Sequence, residues 1–339
     1  MNENVKLKSV YPAYAIPGAE VVLDGEGFEP GAEGFACLFA DQAAHTAGAS
    51  SRRVLAIVPE DGPDGEIDVS VQGSAPVKLT VGKKLADDMH IVTNPAFDPT
   101  DGSLILTRSG SRGQELPVTL FRLEPDGYLE EIPADFMNPT GVAFANSGQL
   151  FVTNRADGLA CRVSRTGEVI PFASDLGIAT GIAFDKHSVM YIGDRSGTIY
   201  RVKSIDSTEV FAKLEPSVSA YHMAFSPAGD LYVTAPGLSS YDGVWRINSM
   251  GETSMFYRGL GRPQGLAFDM AGNLYVAACL KGRRGIVRIS PDGDSAELFV
   301  AGMNVVGLCF SAKGEMIVAT AEEVFSLPLG IYGTLLDKN

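Results

Sequence analysis

Three closely similar stretches decide the fold: PTGVAF at residues 139–144, ATGIAF at residues 179–184 and PQGLAF at residues 263–268. In each of them a polar residue, a glycine and two apolar residues precede a phenylalanine. This phenylalanine recurs at intervals of 47, 40, 41, 43 and 42 residues. Its six copies are Phe97, Phe144, Phe184, Phe225, Phe268 and Phe310. A fixed period of this length is typical of a propeller in which each repeat is one four-stranded blade.

The remainder of each repeat also has the pattern of short strands. A glycine-containing turn follows the phenylalanine, as at residues 146–148 and 270–272, and leads to a second apolar strand. A third strand carries an arginine, and an outer strand follows a tight turn. The third-strand arginines are Arg122, Arg162, Arg201, Arg246 and Arg288. Their regular recurrence indicates a structural role in the repeat rather than a binding site.

The last repeat lacks a clear outer strand after residues 325–327. Residues 89–92, just before the first repeat, resemble the outer strands of other repeats. We therefore expect them to complete the last blade and close the ring, with His90 as a structural strand residue. The sequence predicts a six-bladed propeller over residues 85–339.

Residues 1–84 have a different all-β pattern, with about seven short strands at the spacing of a β-sandwich. Val69 and Val71 alternate with polar neighbours, which is typical of a half-buried strand. Two glycines, Gly25 and Gly27, precede Phe28 and supply flexible backbone before an aromatic ring that can fill a small core. A short linker at residues 82–84 joins this domain to the propeller.

Composition limits the partners of this 339-residue chain. It has 27 basic and 41 acidic residues, a net charge of −14, which disfavours binding to nucleic acid and to anionic membranes. No apolar run is long enough for a transmembrane helix. The first five residues do not have the pattern of a secretory signal, so we expect a cytoplasmic protein; secretion stays the alternative if a signal has been removed. Four scattered cysteines without CxxC spacing predict neither disulfides nor a zinc site.

Both halves resemble known families. Residues 1–84 resemble the immunoglobulin-like TIG (or IPT) module, on SVYP at 9–12, VVLDGEGF at 21–28 and IDVSV at 67–71. The repeat region resembles NHL-repeat proteins and the six-bladed propellers of gluconolactonases and regucalcin-like proteins. The first resemblance implies a spacer or interaction module without catalytic residues. The second implies an architecture more than a chemistry, because one propeller shape serves enzymes, binders and scaffolds.

Resemblance to the lactonase-like family implies a divalent cation (Ca, Mg or Zn) held by a Glu of an entry motif and by an Asn and an Asp before later glycines. The residues at the matching positions are Thr93, Thr140, Thr180 and Gln264. None of them is a carboxylate, and a hard cation needs several anionic or carbonyl oxygens. We therefore expect no metal cofactor. Ligands shifted to Asn94, Asn154 or Asp194 stay the alternative.

The mouth of the central channel is the expected ligand site, because the start of the first strand and the end of the second strand of each blade meet there. Residues before the repeat glycine are expected to face it; they include Thr140, Thr180, Tyr221 and Gln264. Arginines stand eleven residues after the phenylalanine in three repeats, at Arg108, Arg155 and Arg195. The same loops add Arg112, Lys281, Arg283 and Arg284.

Guanidinium groups bind carboxylate and phosphate through paired hydrogen bonds. We therefore expect Arg108, Arg155 and Arg195 to bind an anionic small molecule or an acidic protein partner, with Thr140, Thr180 and Gln264 beside them. The alternative is that nearby carboxylates pair with these basic residues inside the protein. Those carboxylates are Glu115, Asp157, Asp194 and Asp242.

His222 replaces the repeat glycine in the fourth repeat and is the histidine expected at the mouth. With Tyr221 beside it, it is the candidate catalytic residue: His222 as a general base and Tyr221 as a proton donor. The sequence shows no orienting partner and no nucleophile for it, and no GxSxG, HExxH or P-loop motif in a fitting context. Tyr221 alternatively lines the channel.

The sequence leads to three functional hypotheses. The first is a propeller that binds an anionic small molecule or acidic partner at its mouth, with the N-terminal module as an interaction or spacer domain. The alternative is a lactonase-like hydrolase, or a lyase, of the gluconolactonase and regucalcin superfamily. The third is a scaffold that uses both domains for assembly. The sequence leaves open whether the protein is an enzyme, what its ligand is and how it oligomerises.

Overall fold

The computed structural model describes residues 5–110, 114, 116–136, 139–205, 207–239 and 241–334. Every helix or strand element in this part of the chain is a β-strand, so the all-β prediction is confirmed. Among these residues there is no helix with the length and apolar character needed to span a bilayer.

Nine strands form the N-terminal unit. They are β1 (Lys6–Tyr11), β2 (Tyr14–Ala15), β3 (Glu20–Glu26), β4 (Cys37–Phe39), β5 (Gln42–Ala43), β6 (His45–Ala49), β7 (Arg53–Ile57), β8 (Gly65–Val71) and β9 (Val77–Val81). One sheet has the order β1-β3-β7-β6, and the other strands follow the order β2-β9-β8-β4-β5. Phe28 is buried in the core, and a side chain on Gly25 would overlap its ring. Glycine is therefore required where Phe28 packs against β3.

The other strands form six groups of four, and each group is numbered by the chain order of its first strand. Groups 1 to 3 are β11 (Ala96–Phe97), β12 (Leu104–Thr107), β13 (Leu120–Leu123) and β14 (Leu129–Ile132); β15 (Pro139–Phe144), β16 (Leu150–Asn154), β17 (Leu159–Val163) and β18 (Val169–Ala173); and β19 (Ala179–Phe184), β20 (Met190–Asp194), β21 (Thr198–Ser204) and β22 (Ser207–Lys213).

Groups 4 to 6 have the same antiparallel pairing. Their strands are β23 (His222–Phe225), β24 (Leu231–Thr234), β25 (Asp242–Ile247) and β26 (Thr253–Gly261); β27 (Leu266–Phe268), β28 (Leu274–Leu280), β29 (Arg283–Ile289) and β30 (Ala296–Ala301); and β31 (Val305–Phe310), β32 (Glu315–Thr320), β33 (Val324–Pro328) and β10 (Lys83–Ala86). Groups 4 and 5 are also joined by pairing between β26 and β28.

The first strands of consecutive groups contact one another in a circle, which the contact between β31 and β11 closes. The repeat glycine makes this close approach possible. A Cβ atom on Gly141 would lie 2.6 Å from the carbonyl oxygen of Thr180, and one on Gly307 would lie 2.7 Å from the Cα of Asn94. Sheets arranged in a circle around one axis form a β-propeller, as the sequence predicted.

The repeat phenylalanine joins neighbouring groups. Phe268 of group 5 lies 4.8 Å, ring centre to ring centre, from Tyr232 of group 4, and Phe310 of group 6 lies 5.3 Å from Tyr275 of group 5. Both pairs meet edge to face, the geometry that aromatic rings prefer. Phe184 and Phe225 make the corresponding contacts with Phe151 and Tyr191. The residue that reveals the period in the sequence is therefore a packing residue between sheets.

The ring closes through β10, so the expected closing strand at residues 89–92 is wrong. β10 pairs antiparallel with β33, and Lys83 lies opposite Ser326. Residues 89–92 are not a strand, although Met89 and Ile91 are each only 2% exposed. Met89 and Ile91 alternate with other residues, and this alternation is the sequence pattern of a strand. The observed strand Lys83–Ala86 has the sequence KKLA, which resembles a polar linker.

The two units share hydrogen-bonded strands. β2 pairs in parallel with β9 of the N-terminal unit and with β30, the outer strand of group 5. The Tyr14 ring lies 5.0 Å from the Phe299 ring, and the Leu298 N–H donates to the Tyr11 hydroxyl at 3.1 Å. The domain division at residue 84 stays a prediction; β10 spans that position and contributes to group 6.

Candidate functional site

A cavity of about 380 Å³ lies at one end of the ring, and residues from or just before all six groups line it. Three arginines, Arg155, Arg195 and Arg262, are among the lining residues. The other polar residues are His90, Thr140, Ser219, Gln264 and Asn304. A cavity of this size is in the range of small-molecule sites.

Arg155 and Arg195 reach the cavity from equivalent places in groups 2 and 3. Each follows the last residue of a second strand, Asn154 of β16 or Asp194 of β20. These two residues fix the turns that present the arginines. The Asn154 side-chain oxygen accepts a hydrogen bond from the Ala156 N–H at 3.1 Å, and an Asp194 carboxylate oxygen accepts one from the Ser196 N–H at 2.9 Å.

Arg262 is a cavity residue that the sequence reasoning missed. It lies in the loop that enters group 5, with a left-handed backbone conformation at φ 47°. The next turn is held by the Gln264 N–H, which donates to the Ala277 carbonyl at 2.8 Å. Arg262 stands two positions before the pre-glycine residue. The residues at the equivalent position of groups 1, 4 and 6 also line the cavity; they are Ile91, Ser219 and Asn304. A search of the sequence at this spacing would therefore have found Arg262.

The cavity is positive in an acidic protein. No Asp or Glu is among its lining residues. Within the described residues, the guanidinium groups of Arg155, Arg195 and Arg262 form neither an ion pair nor a hydrogen bond to a side chain. Three permanent positive charges therefore surround one small space, and none of the described carboxylates lies within ion-pair distance of them.

The carboxylates that were the expected internal partners have other contacts. Asp157 accepts a hydrogen bond from the Asn154 side-chain amide at 2.8 Å. Asp194 accepts hydrogen bonds from the backbone of Ile178 and Ser196. One carboxylate oxygen of Asp242 is buried without a partner in the described structure, and Glu115 lies outside the described residues.

Other predicted basic residues lie elsewhere. Arg108 is not among the lining residues, and its guanidinium is 3.4 Å from the Asp88 carboxylate. Lys281, Arg283 and Arg284 do not line the cavity either. Arg112 lies outside the described residues. Of the predicted ligand residues, the structure therefore brings together Arg155, Arg195, Thr140 and Gln264.

Thr180 and Tyr221 hold neighbouring strands together instead of facing the cavity. The Thr180 hydroxyl donates to the Gly193 carbonyl and accepts a hydrogen bond from the Tyr221 N–H, both at 3.1 Å. The Tyr221 hydroxyl donates to the Glu215 carbonyl. Tyr221 is only 1% exposed, and burial raises the pKa of its phenol, with Asp194 and Glu215 adding to the effect. Such a tyrosine keeps its proton.

His222 is also inside the fold. It is 3% exposed, it is not a lining residue, and its Nε2 has no hydrogen-bond partner among the described residues. Burial lowers its pKa to about 4, so the imidazole is neutral at pH 7. The histidine that lines the cavity is His90, which the sequence reasoning placed in a strand; its side chain is 51% exposed.

The shifted metal ligands also serve the fold. The Asn94 amide donates to the Leu266 carbonyl at 3.0 Å, and its oxygen accepts the Leu308 N–H at 3.1 Å. Among the described residues there is no group of three His, Cys, Asp or Glu side chains placed to hold a metal ion. The Asn94 side chain thus links strands of groups 5 and 6, and the expectation of no metal cofactor stays a prediction.

The cysteines do not supply a nucleophile to the cavity. All four are free, and none lines it. Burial raises the pKa of Cys161 to about 11 and also raises the pKa of Cys309. Because the thiolate is the reactive form, these two groups are unreactive at neutral pH.

A second depression of about 490 Å³ lies on the N-terminal unit. Two of its three basic residues have partners: Lys8 pairs with Glu26, and Arg53 pairs with Asp24, each at 2.7 Å; the third is Arg52. Asp24 itself belongs to the lining. The propeller cavity is therefore the candidate site, since three arginines line it and no carboxylate does.

No protein-family model matches the sequence, and no curated protein sequence matches it. Among solved structures, the chain is similar to an auxiliary nutrient binding protein from Bacteroides thetaiotaomicron, with a TM-score of 0.56, 13% identity, and 96% of this chain and 98% of that chain covered. A Bacteroides thetaiotaomicron protein of unknown function matches with a TM-score of 0.57, 14% identity and coverages of 96% and 98%.

A gluconolactonase from Xanthomonas campestris is also similar, with a TM-score of 0.56 and 14% identity. This match covers 75% of this chain and 90% of that chain. At these identities the likeness concerns the fold alone. It supports the β-propeller that the strand pairing shows.

Proposed function

We propose that this protein binds an anionic small molecule in the propeller cavity. The observation that carries the proposal is the set of three arginines, Arg155, Arg195 and Arg262, around a space of about 380 Å³ without a lining carboxylate. A carboxylate or phosphate accepts two parallel hydrogen bonds from a guanidinium group. Thr140 and Gln264 are well placed in the same lining to orient the uncharged part of the ligand.

Electrostatics favours an occupied cavity. Three like charges that converge on a partly enclosed space repel each other, and a bound anion removes that repulsion. The net charge of −14 repels anions from the rest of the surface, so the cavity would be the main place of attraction. The lining comes from all six groups, which fits a compact ligand better than an extended acidic peptide.

We further assign the six groups to the blades of a six-bladed propeller of the NHL and gluconolactonase type, and the N-terminal unit to a TIG-like sandwich. The pairing of β2 with β30 supports a spacer or interaction module that is fixed to the propeller. The similar nutrient binding protein matches along 96% of this chain, whereas the gluconolactonase matches along 75%.

The alternative function is lactone hydrolysis, which the fold likeness to a gluconolactonase supports. Among the described residues no group of three His, Cys, Asp or Glu side chains is placed to hold a metal ion, and His222 does not line the cavity. Turnover of δ-gluconolactone by the purified protein, measured with and without added calcium, tests this alternative. Saturable turnover that a chelator abolishes would favour the hydrolase; for a binding protein we expect hydrolysis at the uncatalysed rate.

The binding proposal is tested by thermal unfolding with inorganic phosphate, gluconate and glucose. Gluconate and glucose have similar size but differ in charge. We expect phosphate and gluconate to raise the melting temperature and glucose to leave it unchanged, because a ligand that binds the folded state alone stabilises it. Hexaglutamate is tested in the same way, as a probe for binding of an acidic protein partner.

The variant Arg155→Ala/Arg195→Ala should lose the stabilisation by gluconate and phosphate. The matched control is Arg258→Ala, which removes an exposed arginine from the outer strand of group 4, away from the cavity lining. Equal stabilisation by glucose, or an unchanged response of the double variant, would contradict the proposal. A larger rise in melting temperature with hexaglutamate than with either small anion would indicate that the ligand is an acidic protein partner rather than a small molecule.

A further inference from the structure

The three cavity arginines do not lie on one side. The first strands follow each other around the ring in chain order, from group 1 to group 6 and back to group 1. In a closed circle of six, group 2 therefore faces group 5 across the axis. Arg155 belongs to the loop of group 2, and Arg262 belongs to the loop that enters group 5. Arg195 lies beside Arg155 in group 3.

The cavity therefore has positive charge at two opposite walls. Each charged wall also carries a neutral polar residue: Thr140 lies in group 2 with Arg155, and Gln264 lies next to group 5 with Arg262. Hydrogen bonds hold the backbone next to Arg262 in the second charged wall. Arg262 keeps its left-handed backbone next to a turn in which the Thr234 hydroxyl donates to the Gln264 carbonyl at 2.6 Å.

The walls between the charged ones are mainly uncharged. On the side of groups 6 and 1 the lining includes Ile91, Val92 and Val306, and on the side of group 4 it includes Val218 and Ala220. The polar lining residues of these sides are His90 and Asn304 on the first side and Ser219 on the second, and His90 is the titratable one. Guanidinium groups on opposite walls suit a molecule with an anionic group at each end, because each wall can then bind one of the two groups.

We infer that the ligand is a dianion whose two anionic groups are separated by an uncharged chain or ring, one group held by Arg155 and Arg195 and the other by Arg262. This inference rests on the proposed anion-binding function and specifies its ligand class. α,ω-Dicarboxylates are the simplest probes of this class, because their length varies without any other change. Monocarboxylates of the same carbon number are the matched probes.

Calorimetric titrations with both series, from four to nine carbons, test the inference. We expect one dicarboxylate length to bind at least tenfold more tightly than the monocarboxylate of equal length. Arg262→Ala should reduce its affinity to that of the monocarboxylate, without weakening the monocarboxylate itself. Arg262→Lys keeps the charge and should retain a clear preference for the dicarboxylate. Arg258→Ala is the control, and circular dichroism checks that each variant is folded.

The outcomes separate this inference from the proposed function. Monocarboxylates and dicarboxylates that bind equally at every length, with Arg262→Ala without effect, would overturn the two-ended ligand and leave anion binding in place. A preference for dicarboxylates that survives in folded Arg262→Ala would also overturn it. If neither series binds and phosphate and gluconate do not bind either, the proposed function itself is wrong.

Discussion

Two sets of arginines in the same propeller have opposite surroundings. Four of the five third-strand arginines form ion pairs with nearby carboxylates. The pairs are Arg122 with Asp98 and Asp101, Arg201 with Glu209, Arg246 with Asp230 and Arg288 with Glu297. The cavity arginines have no such partner in the described structure. With 41 acidic and 27 basic residues, the chain does not lack carboxylates, so their placement makes the difference.

The comparison shows that an arginine repeated at one strand position has a structural role, whereas arginines placed irregularly are candidates for ligand binding. An arginine that recurs at one strand position, with its carboxylate partner supplied by the same group, stabilises the repeated unit. Arg155, Arg195 and Arg262 break the regularity: they occur in three of the six groups and at two kinds of loop. Their positive charge remains available to a bound anion, and this is the basis of the proposed anion site.

The largest expected effect is on the buried pair of the first set. Arg122 and Asp98 have side chains only 5% and 4% exposed. Arg122→Ala would leave the buried carboxylate of Asp98 without its counter-charge, while Asp101 keeps its ion pair with Arg165, and we expect the free energy of unfolding to fall by about 3–5 kcal/mol. Urea denaturation measures this fall. A loss below about 1 kcal/mol would show that Arg122 is not a buried structural partner.

A second stability effect distinguishes the buried His222 from the exposed His90. The folded-state pKa of His222, about 4, is below its ordinary value of 6.5. As the pH falls below 6.5, His222 becomes protonated in the unfolded chain, whereas in the folded protein it stays neutral until about pH 4. Stability should therefore decrease over this interval, by about 3 kcal/mol for this residue.

Urea denaturation between pH 7 and pH 4 measures that slope for the parent protein and for His222→Gln. We expect the variant to lose most of the histidine contribution, whatever its absolute stability. His90→Gln, at a half-exposed side chain, serves as the control for replacing a histidine by glutamine. An unchanged slope in folded His222→Gln would mean that the imidazole is not protected from protonation.

The cavity arginines should behave in the opposite way to Arg122. Arg155→Ala removes a charge without an internal partner, so the free energy of unfolding should stay within about 0.5 kcal/mol of the parent value. Its affinity for gluconate should fall about tenfold or more, since each tenfold corresponds to about 1.4 kcal/mol of lost interaction. Denaturation and calorimetry on the same sample measure both quantities. A destabilisation as large as that of Arg122→Ala would place Arg155 among the structural arginines.

The smallest effect is expected at an exposed member of the first set. The Arg246 side chain is 48% exposed, and solvent screens its attraction to Asp230. Arg246→Ala should cost less than about 1 kcal/mol and should not change gluconate affinity. The same denaturation and titration experiments check this. Weaker gluconate binding would show that the electrostatic field of the whole propeller, rather than the cavity lining, attracts the anion.

The sequence was sufficient for the features that repeat. The phenylalanine marks the period because it packs between sheets in repeats 3 to 6, as Phe268 does on Tyr232. The offset of eleven residues located Arg155 and Arg195, because it reaches equivalent loops after the second strand. The closing strand Lys83–Ala86 was missed, since an edge strand with two lysines has no apolar alternation.

Features that depend on contacts between distant strands could not be predicted. Thr180 and Tyr221 occupy the expected positions before the repeat glycine, but the backbone of neighbouring strands uses their polar groups. His222 is buried at the position where groups 2, 3, 5 and 6 have glycine, and its side chain does not line the cavity. Arg262 escaped notice because it enters the cavity from the loop before a first strand rather than after a second strand.

Anomalous diffraction from a crystal soaked in selenate tests the difference between the two sets of arginines most directly. Selenate has the charge and shape of a small oxyanion, and its selenium atom can be located independently of the protein density. We expect a peak in the propeller cavity with oxygen atoms about 2.8 Å from the guanidinium nitrogens of Arg155 or Arg195. Peaks confined to other arginines, with the cavity devoid of selenium, would contradict the assignment of this cavity as the anion site.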